Sequence, residues 1–461
     1  MNILFIGTNV PDGEELTRKV SPAGNRFQNN VIKNLRLMGH KVLNLSFAPD
    51  GKGRAGTLLH ALSLWYKTGR FVSAAELALC YDILWPWLDL PGRAKRKRAK
   101  SAVILADLSG PECFKDPLRK AYAGFMIRSL SRFDTVVGLS ENVKKYLKPG
   151  QDFIYVPGGI DREFYDHFEE KDGLPGQTSD VFTAVFSGLL SPVTGADALI
   201  CAMSFIDDPD IRLVITGRGE LEEQIRAAAS KDSRIVFKGL LPYEEYMEVL
   251  KSADVLLNPR CMSLPENQNN FPSKFMEYLG TGRPIISTRF AGWENFADNA
   301  SYYDEGQGSS ELMEKKAAAA VTPPAEEKSD TEPVEESAAP AAEEAPAEEK
   351  SDTEPVEENA VPADVEAPAE EPADTAPAKE DTVSVEDEAL AKAGSALAEA
   401  LLREKADRSR DRAGVIYRNN RETAKGYLWD VMLKKLVPDT KKENDFQFVD
   451  LNGSEGETSD T

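Results

Sequence analysis

A lysine and a glutamate three residues apart, Lys274 and Glu277, stand in the stretch Asn269-Asn270-Phe271-Pro272-Ser273-Lys274-Phe275-Met276-Glu277-Tyr278-Leu279-Gly280-Thr281-Gly282-Arg283-Pro284. The stretch reads as a polar loop, a short helix, a Gly turn and then the apolar strand that follows Pro284. Three-residue spacing puts the two charges on one helix face, near its positive end. Free backbone N–H groups at a helix start suit phosphate. A carboxylate one turn in can accept two hydrogen bonds from a ribose diol. Such a set suits a sugar linked to a nucleoside diphosphate. Pro272 fits a first helical turn, where its missing N–H costs nothing. Gly280 and Gly282 fit a helix end that needs left-handed backbone. The same spacing also serves any strand–helix–strand unit of an α/β protein.

Positioning those residues takes two alternations of strand and helix. In the first half, apolar runs at Ile3–Ile6, Lys41–Leu45, Leu77–Tyr81, Ala102–Ala106, Thr135–Gly138 and Ile154–Val156 predict strands. Helical spacing over Phe27–Leu37 ends at Gly39. The second half predicts strands at Phe182–Ser187, Arg212–Thr216, Ile235–Lys238, Val255–Asn258 and Pro284–Ser287, with helices over 193–205, 219–230, 243–252 and 273–280. Alternation of this kind predicts parallel sheets covered on both faces. Ligands bind such sheets beyond the carboxyl ends of the strands. The expected fold class is α/β, with two doubly wound Rossmann-like domains facing a cleft.

Charge is distributed unevenly. The 461 residues carry a net −22, and residues 321–388 alone hold 24 Asp/Glu against 3 Lys/Arg. That segment accounts for −21 of the total, so the low pI describes one segment rather than an acidic site. Within it, Glu326–Ala338 and Glu348–Ala360 are near-copies 22 residues apart, with ten Pro and no aromatic residue between 321 and 388. Such a composition cannot bury enough apolar surface to offset ordering entropy, which predicts disorder. Helical pattern returns at Ala389–Arg403 and Gly414–Leu436, so the acidic block reads as an insertion. The expected division is an N-terminal domain over 1–160, a linker over 161–180 and a second domain over 181–308. An insertion over 309–388, closing helices over 389–438 and a tail over 439–461 follow. Four scattered cysteines (Cys80, Cys113, Cys201, Cys261) and three histidines (His40, His60, His167) offer no paired spacing for a disulfide framework or a metal site. The chain opens on a strand rather than a signal peptide, and no apolar run reaches the length needed to span a bilayer. A cytoplasmic protein is the expectation.

The stretch from Asn269 to Pro284 resembles the donor-site signature of the family 4 glycosyltransferases, retaining enzymes of the GT-B fold. That signature is Glu-x7-Glu followed by a small-x-Gly-x-Pro turn. Glu277 matches the second Glu, and Asn269 stands where the first would be. Phe271-Pro272-Ser273-Lys274 and Glu277-Tyr278-Leu279 are similar to a bacterial polysaccharide branch of the family. Further matches are the turn around Gly24 with the helix ending Gly39-His40-Lys41-Val42, and Gly239-Leu240-Leu241-Pro242 beside the nucleotide base. Val156-Pro157-Gly158-Gly159-Ile160-Asp161 matches the end of the first domain.

The resemblance implies a donor site made of Gly24, Gly188, Arg218, Leu241, Arg260, Asn269, Asn270, Phe271, Pro272, Ser273, Lys274 and Glu277. It places Asp107, within Asp107-Leu108-Ser109-Gly110-Pro111-Glu112, at the cleft mouth as an acceptor-binding or basic carboxylate. An Asx turn or helix cap would also account for Asp107. The implied donor is a nucleotide-diphosphate sugar, with no metal or other cofactor, and the implied acceptor is a glycan or a lipid-linked glycan. One departure weighs against catalysis. The family's Gly-Arg-Leu-x-x-x-Lys-Gly neutralises the donor diphosphate, and here Leu189 and Thr194 replace the Arg and the Lys. Arg218, Arg260 or Lys274 would have to substitute. Without a substitute, the chain would be a degenerate relative that binds a nucleotide or acts as an assembly partner.

A basic run, Arg93, Lys95, Arg96, Lys97, Arg98 and Lys100, follows Trp85 and Trp87. With no aromatic residues interleaved, it does not point to nucleic acid. It suits contact with an anionic membrane from the cytoplasmic side, with the two tryptophans at the interface, or a solvated helix surface.

Overall fold

The computed structural model describes residues 1–10, 22–47, 53–83, 87–106, 108–168, 180–308, 312–313 and 384–437. Most of the expected linker, insertion and tail lies outside the described residues, as do Asp107 and Trp85.

Within the first domain the order is β1 (Asn2–Gly7), α1 (Pro22–Leu37), β2 (Lys41–Ser46), α2 (Gly53–Phe71), β3 (Leu77–Tyr81) and α3 (Leu90–Arg96). There follow β4 (Lys100–Leu105), α4 (Pro117–Ser129), β5 (Thr135–Gly138), β6 (Asp152–Tyr155) and α5 (Arg162–His167). All pairings are parallel, in the order β2-β1-β3-β4-β5-β6. Helices cover both faces, which is why β1 and β3 read as unbroken apolar runs. Ile3, Phe5, Leu79 and Ile104 share a core with Val31 and Leu35 of α1. Leu4, Ile6, Ala78 and Val103 point the other way, onto Leu64 of α2, Ala94 of α3 and Ile127 of α4.

The second domain runs β7 (Phe182–Leu189), α6 (Ala196–Met203), β8 (Ile211–Arg218), α7 (Glu222–Lys231), β9 (Ile235–Gly239) and α8 (Tyr243–Lys251). It continues with β10 (Val255–Asn258), α9 (Pro265–Gln268), α10 (Ser273–Thr281), β11 (Ile285–Thr288) and β12 (Ser301–Tyr303). This sheet is also parallel, in the order β12-β11-β10-β7-β8-β9. The strand order reverses between β1 and β3 in one sheet and between β7 and β10 in the other, and such switch points open a crevice at the strands' carboxyl ends. The expected doubly wound pair is therefore the observed fold.

The closing helices are α11 (Val385–Ala406), α12 (Arg410–Lys425) and α13 (Trp429–Met432). Ser384 caps α11 by accepting a hydrogen bond from the Asp387 amide, so the helix starts upstream of Ala389. Arg408 pairs with Asp254 at 2.9 Å and Lys405 with Asp208 at 2.7 Å, fixing the end of α11 to the second domain. The single helix expected over 414–436 is broken at Gly426, and α13 returns to the first domain. There Trp429 meets Phe27 of α1 edge-on, with centroids 4.8 Å apart.

Three local expectations need correcting. Helix α1 starts at Pro22 rather than Phe27, so Gly24 lies in its first turn. Gly282 takes the left-handed conformation that ends α10 (φ 77°), but Gly280 is an ordinary helical residue. A Cβ on Gly280 would lie 3.1 Å from Ile160, so Gly280 is small for packing rather than for a turn. The helix expected over 193–205 is divided at Gly195, with a 3-10 turn over Pro192–Thr194 before α6.

Candidate functional site

Helix α10 is held at the carboxyl end of β7 by Tyr278. Its hydroxyl accepts a hydrogen bond from the Ser187 amide (3.0 Å) and donates one to the Ser187 carbonyl (3.1 Å). On the helix's other side, Glu277 faces the cleft with about a quarter of its side chain exposed (24%). Lys274 Nζ lies 2.7 Å from Glu277 Oε2, and the Tyr246 hydroxyl of α8 donates to the same oxygen at 2.7 Å. Lys274 also donates to the Tyr246 hydroxyl at 3.1 Å, with its ammonium 4.7 Å from the ring centre. From the opposite domain, Arg26 of α1 reaches Glu277 Oε1 at 3.5 Å. Burial works against the charge on Glu277. The fields of Lys274 and Arg26, with hydrogen bonds from Lys274 and Tyr246, outweigh it and hold the carboxyl below its ordinary range. Burial and the adjacent Glu277 charge together keep Tyr246 protonated, as a donor.

The connection from α9 to α10 docks on the first domain. Asn270 Oδ1 accepts from the Leu108 amide at 2.8 Å, and its Nδ2 donates to the Glu266 carbonyl at 2.8 Å. Asn142 Nδ2 donates to the Gln268 carbonyl at 2.6 Å. Asn269 is buried, and its Nδ2 lies 3.4 Å from Glu112 Oε1 and 3.3 Å from the Tyr146 hydroxyl. Glu112 also takes a hydrogen bond from Tyr146 and a 3.1 Å contact from Lys145. Burial opposes its ionisation. The hydrogen bonds from Tyr146, its own backbone, Lys145 and Asn269 prevail and lower its pKa to about 2. A carboxylate thus stands beside position 269, supplied by the other domain. Phe271 anchors the segment in an aromatic core with Phe275, Phe290 and Phe296. Pro272 is buried just ahead of α10, while Ser273 starts the helix exposed.

The loops after β7 and β8 are packed backbone on backbone. Gly195 has φ 73°, and a Cβ there would lie 1.8 Å from the Pro259 carbonyl oxygen, which follows β10. Gly217, paired with Gly188 across β7 and β8, has φ 137° and would drive a Cβ to 1.9 Å from the Gly188 oxygen. Thr194, where a lysine is expected, turns into its own loop. Its hydroxyl lies 2.6 Å from the Leu189 carbonyl and 2.8 Å from the Ser191 carbonyl. Leu189 is exposed. Leu240 and Tyr243, after β9, add exposed apolar surface on the carboxyl side of the sheet, with Leu241 half-buried between them. Arg218 ends β8 exposed, and Arg260 follows β10 with its Nε on Asn267. Among the anticipated residues, Lys274 and Glu277 form one cluster and Asn269 and Asn270 form the domain contact. Gly188, Arg218 and Arg260 lie at strand ends around them.

Sequence reasoning missed Arg26, Tyr246, Glu112 and Tyr146. Tyr246 lies on the buried stripe of α8, where a phenol needs a partner for its hydroxyl, but nothing local names Glu277 as that partner. The basic run also needs correcting. Arg93 is a structural residue, with its guanidinium 4.1 Å over the Trp65 ring and its Nε 2.7 Å from Asp89. Trp87 is fully buried, donating to Thr68 at 2.9 Å, and so does not sit at an interface.

Residues 181–318 match the model of the family described as glycosyl transferases group 1. No curated protein is matched. Among solved structures, sucrose-phosphate synthase from Thermosynechococcus elongatus superposes with TM-score 0.58 at 13% identity, over 94% of this chain and 97% of that one. A glycosyltransferase from Rickettsia africae ESF-5 superposes with TM-score 0.56 at 13% identity, over 95% of this chain and 96% of that one. HepE from Anabaena, solved with UDP, gives TM-score 0.47 at 15% identity, over 66% of this chain and 85% of that one.

Proposed function

We propose that this GT-B chain of the group 1 glycosyltransferase type moves a sugar from a nucleoside-diphosphate donor to a glycan or lipid-linked acceptor. The observation that carries the reading is Glu277. It is an ionised carboxylate on the cleft side of α10, inside the segment that matches the family model. In this reading Glu277 accepts the ribose hydroxyls. The free amides at the start of α10 and the nearby cations stabilise the leaving diphosphate, which is electrostatic catalysis by preformed donors. Retention of configuration, catalysis without a metal, a role for Asp107 on the acceptor and a cytoplasmic setting complete the reading.

A second reading is favoured by Leu189 and Thr194. Neither supplies a cation, and Thr194 is committed to its own loop. In that reading the chain binds a nucleotide without turning it over. Nucleoside-diphosphate sugars should be offered singly, with release of nucleoside diphosphate and binding heat both followed. Binding with release supports the transferase, and binding without release supports the second reading. No binding of any nucleotide overturns both.

A further inference from the structure

Six of the thirteen large apolar side chains exposed among the described residues lie on two helices, α2 and α4. On α4 they are Leu118, Tyr122 and Phe125, spaced four and three apart, so they form one stripe. Ala123 and Ile127, which pack into the domain, lie on the opposite side of the same helix. Helix α2 repeats the pattern. Leu59, Leu62 and Tyr66 face outward, while Ala61, Leu64 and Thr68 face the core. These six residues are between 40% and 82% exposed. Each helix therefore has an apolar face that nothing among the described residues covers.

The two stripes look out from the same side of the molecule. Helices α2, α3 and α4 all pack on the sheet face that presents Leu4, Ala78 and Val103, and every residue of that core belongs to the first domain. Helix α3 crosses over between β3 and β4, which places it between its two neighbours. Together the three helix spans contain nine Lys/Arg and no Asp/Glu. Lys95, Arg96, Lys97 and Arg98 are exposed, and Lys120 and Arg128 are exposed beside the α4 stripe. Outside the acidic segment the chain is close to neutral, and these three helix spans concentrate cations around two apolar stripes, with Asp89 and Asp116 confined to the helix starts.

We propose that this α2–α3–α4 face is a docking surface for an anionic lipid bilayer. The stripes enter the acyl boundary while the cations between and beside them meet lipid phosphates, the arrangement by which an amphipathic surface lies on a membrane without crossing it. No helix among the described residues is long and apolar enough to cross one. Charge selects the occupant: two copies of this face would bring like charges together, whereas an anionic headgroup layer neutralises them. The proposal goes beyond the basic run alone, because it assigns the apolar contacts to α2 and α4. It is independent of the transferase reading, since none of these residues belongs to the donor site.

The test uses the full chain and vesicles of phosphatidylcholine, alone or with about a third phosphatidylglycerol, in a flotation assay at low and high salt. Wild type should float with the anionic vesicles at low salt and not with the neutral ones. Two variants should each lose at least tenfold in binding while keeping the wild-type thermal transition. One carries Leu118→Ser, Tyr122→Ser and Phe125→Ser. The other carries Lys95→Gln, Arg96→Gln, Lys97→Gln and Arg98→Gln. Failure of wild type to float with anionic vesicles overturns the proposal. So does undiminished binding by the serine variant, which would leave only diffuse charge attraction. A wild-type dimer in sedimentation that the serine substitutions dissociate would show that a second copy covers the face, and would also overturn it. Nucleotide binding measured on the same variants should be unchanged, so the outcome does not depend on what the cleft does.

Discussion

Arg26 and Glu277 face each other at 3.5 Å from opposite domains, and this contact closes the cleft over the carboxylate that Lys274 and Tyr246 hold from below. A carboxylate already provided with donors on one side is preorganised to accept hydroxyl groups on the other.

Replacing Glu277 with alanine should weaken nucleoside-diphosphate binding by about 1.5–3 kcal/mol, the worth of hydrogen bonds to a charged group. Calorimetry on a folded variant measures it. Unchanged affinity would remove the residue from the site.

The pH dependence follows from the same cluster. Glu277 has a depressed pKa, so its contribution to binding is complete above the ordinary carboxylate range and fades as pH falls through the lowered value. Affinity should therefore hold down through the ordinary carboxylate range and decline only below it. Lys274→Met removes the nearest cation, so the decline should begin at higher pH. Lys274→Met should also raise the dissociation constant for the diphosphate more than for the bare nucleoside. Equal small effects on both ligands would show that Lys274 serves only Glu277.

Glu112, with its pKa lowered to about 2, stabilises the contact to Asn269 while ionised. Its stabilising effect is present above the unfolded carboxylate pKa and is lost as pH falls toward about 2. Thermal scans of wild type and Glu112→Gln should therefore differ most at neutral pH and converge in acid. The side chain is 40% exposed, so water screens the effect and the difference should be small. A gap that widens in acid would contradict the assignment.

Gly195→Ala should destabilise the second domain by at least about 1–3 kcal/mol, because a side chain there is strained at φ 73° and collides with the Pro259 carbonyl. A thermal transition within a degree of wild type would refute the close approach. Gly150, also at positive φ but with open space around it, is the control position.

The sheets were legible because parallel strands buried on both faces are nearly continuous apolar runs. Val255–Asn258 and Thr135–Gly138 were bounded to the residue. Strand β12, three residues long at a sheet edge, has too few side chains for a pattern and was not anticipated. Lys274 and Glu277 were legible as a pair because helix geometry links positions three apart. Arg26, Tyr246 and Glu112 were not, because they join the site through contacts between distant segments. Gly280 was misassigned because a glycine that admits a neighbour and one that turns the chain look the same in sequence.

Where Ile160 and Leu428 run side by side, the Ile160 amide donates to the Tyr427 carbonyl at 2.8 Å and the Trp429 amide to the Ile160 carbonyl at 3.1 Å. Two passages of the chain between the domains are thereby tied together at one point, which would serve as the hinge if one domain tilts on the other. A tilt about Ile160 that parts Arg26 from Glu277 must also release the hydrogen bonds that Asn269, Asn270 and the Gln268 carbonyl make with the first domain, so the segment ahead of α10 is the latch opposite that hinge.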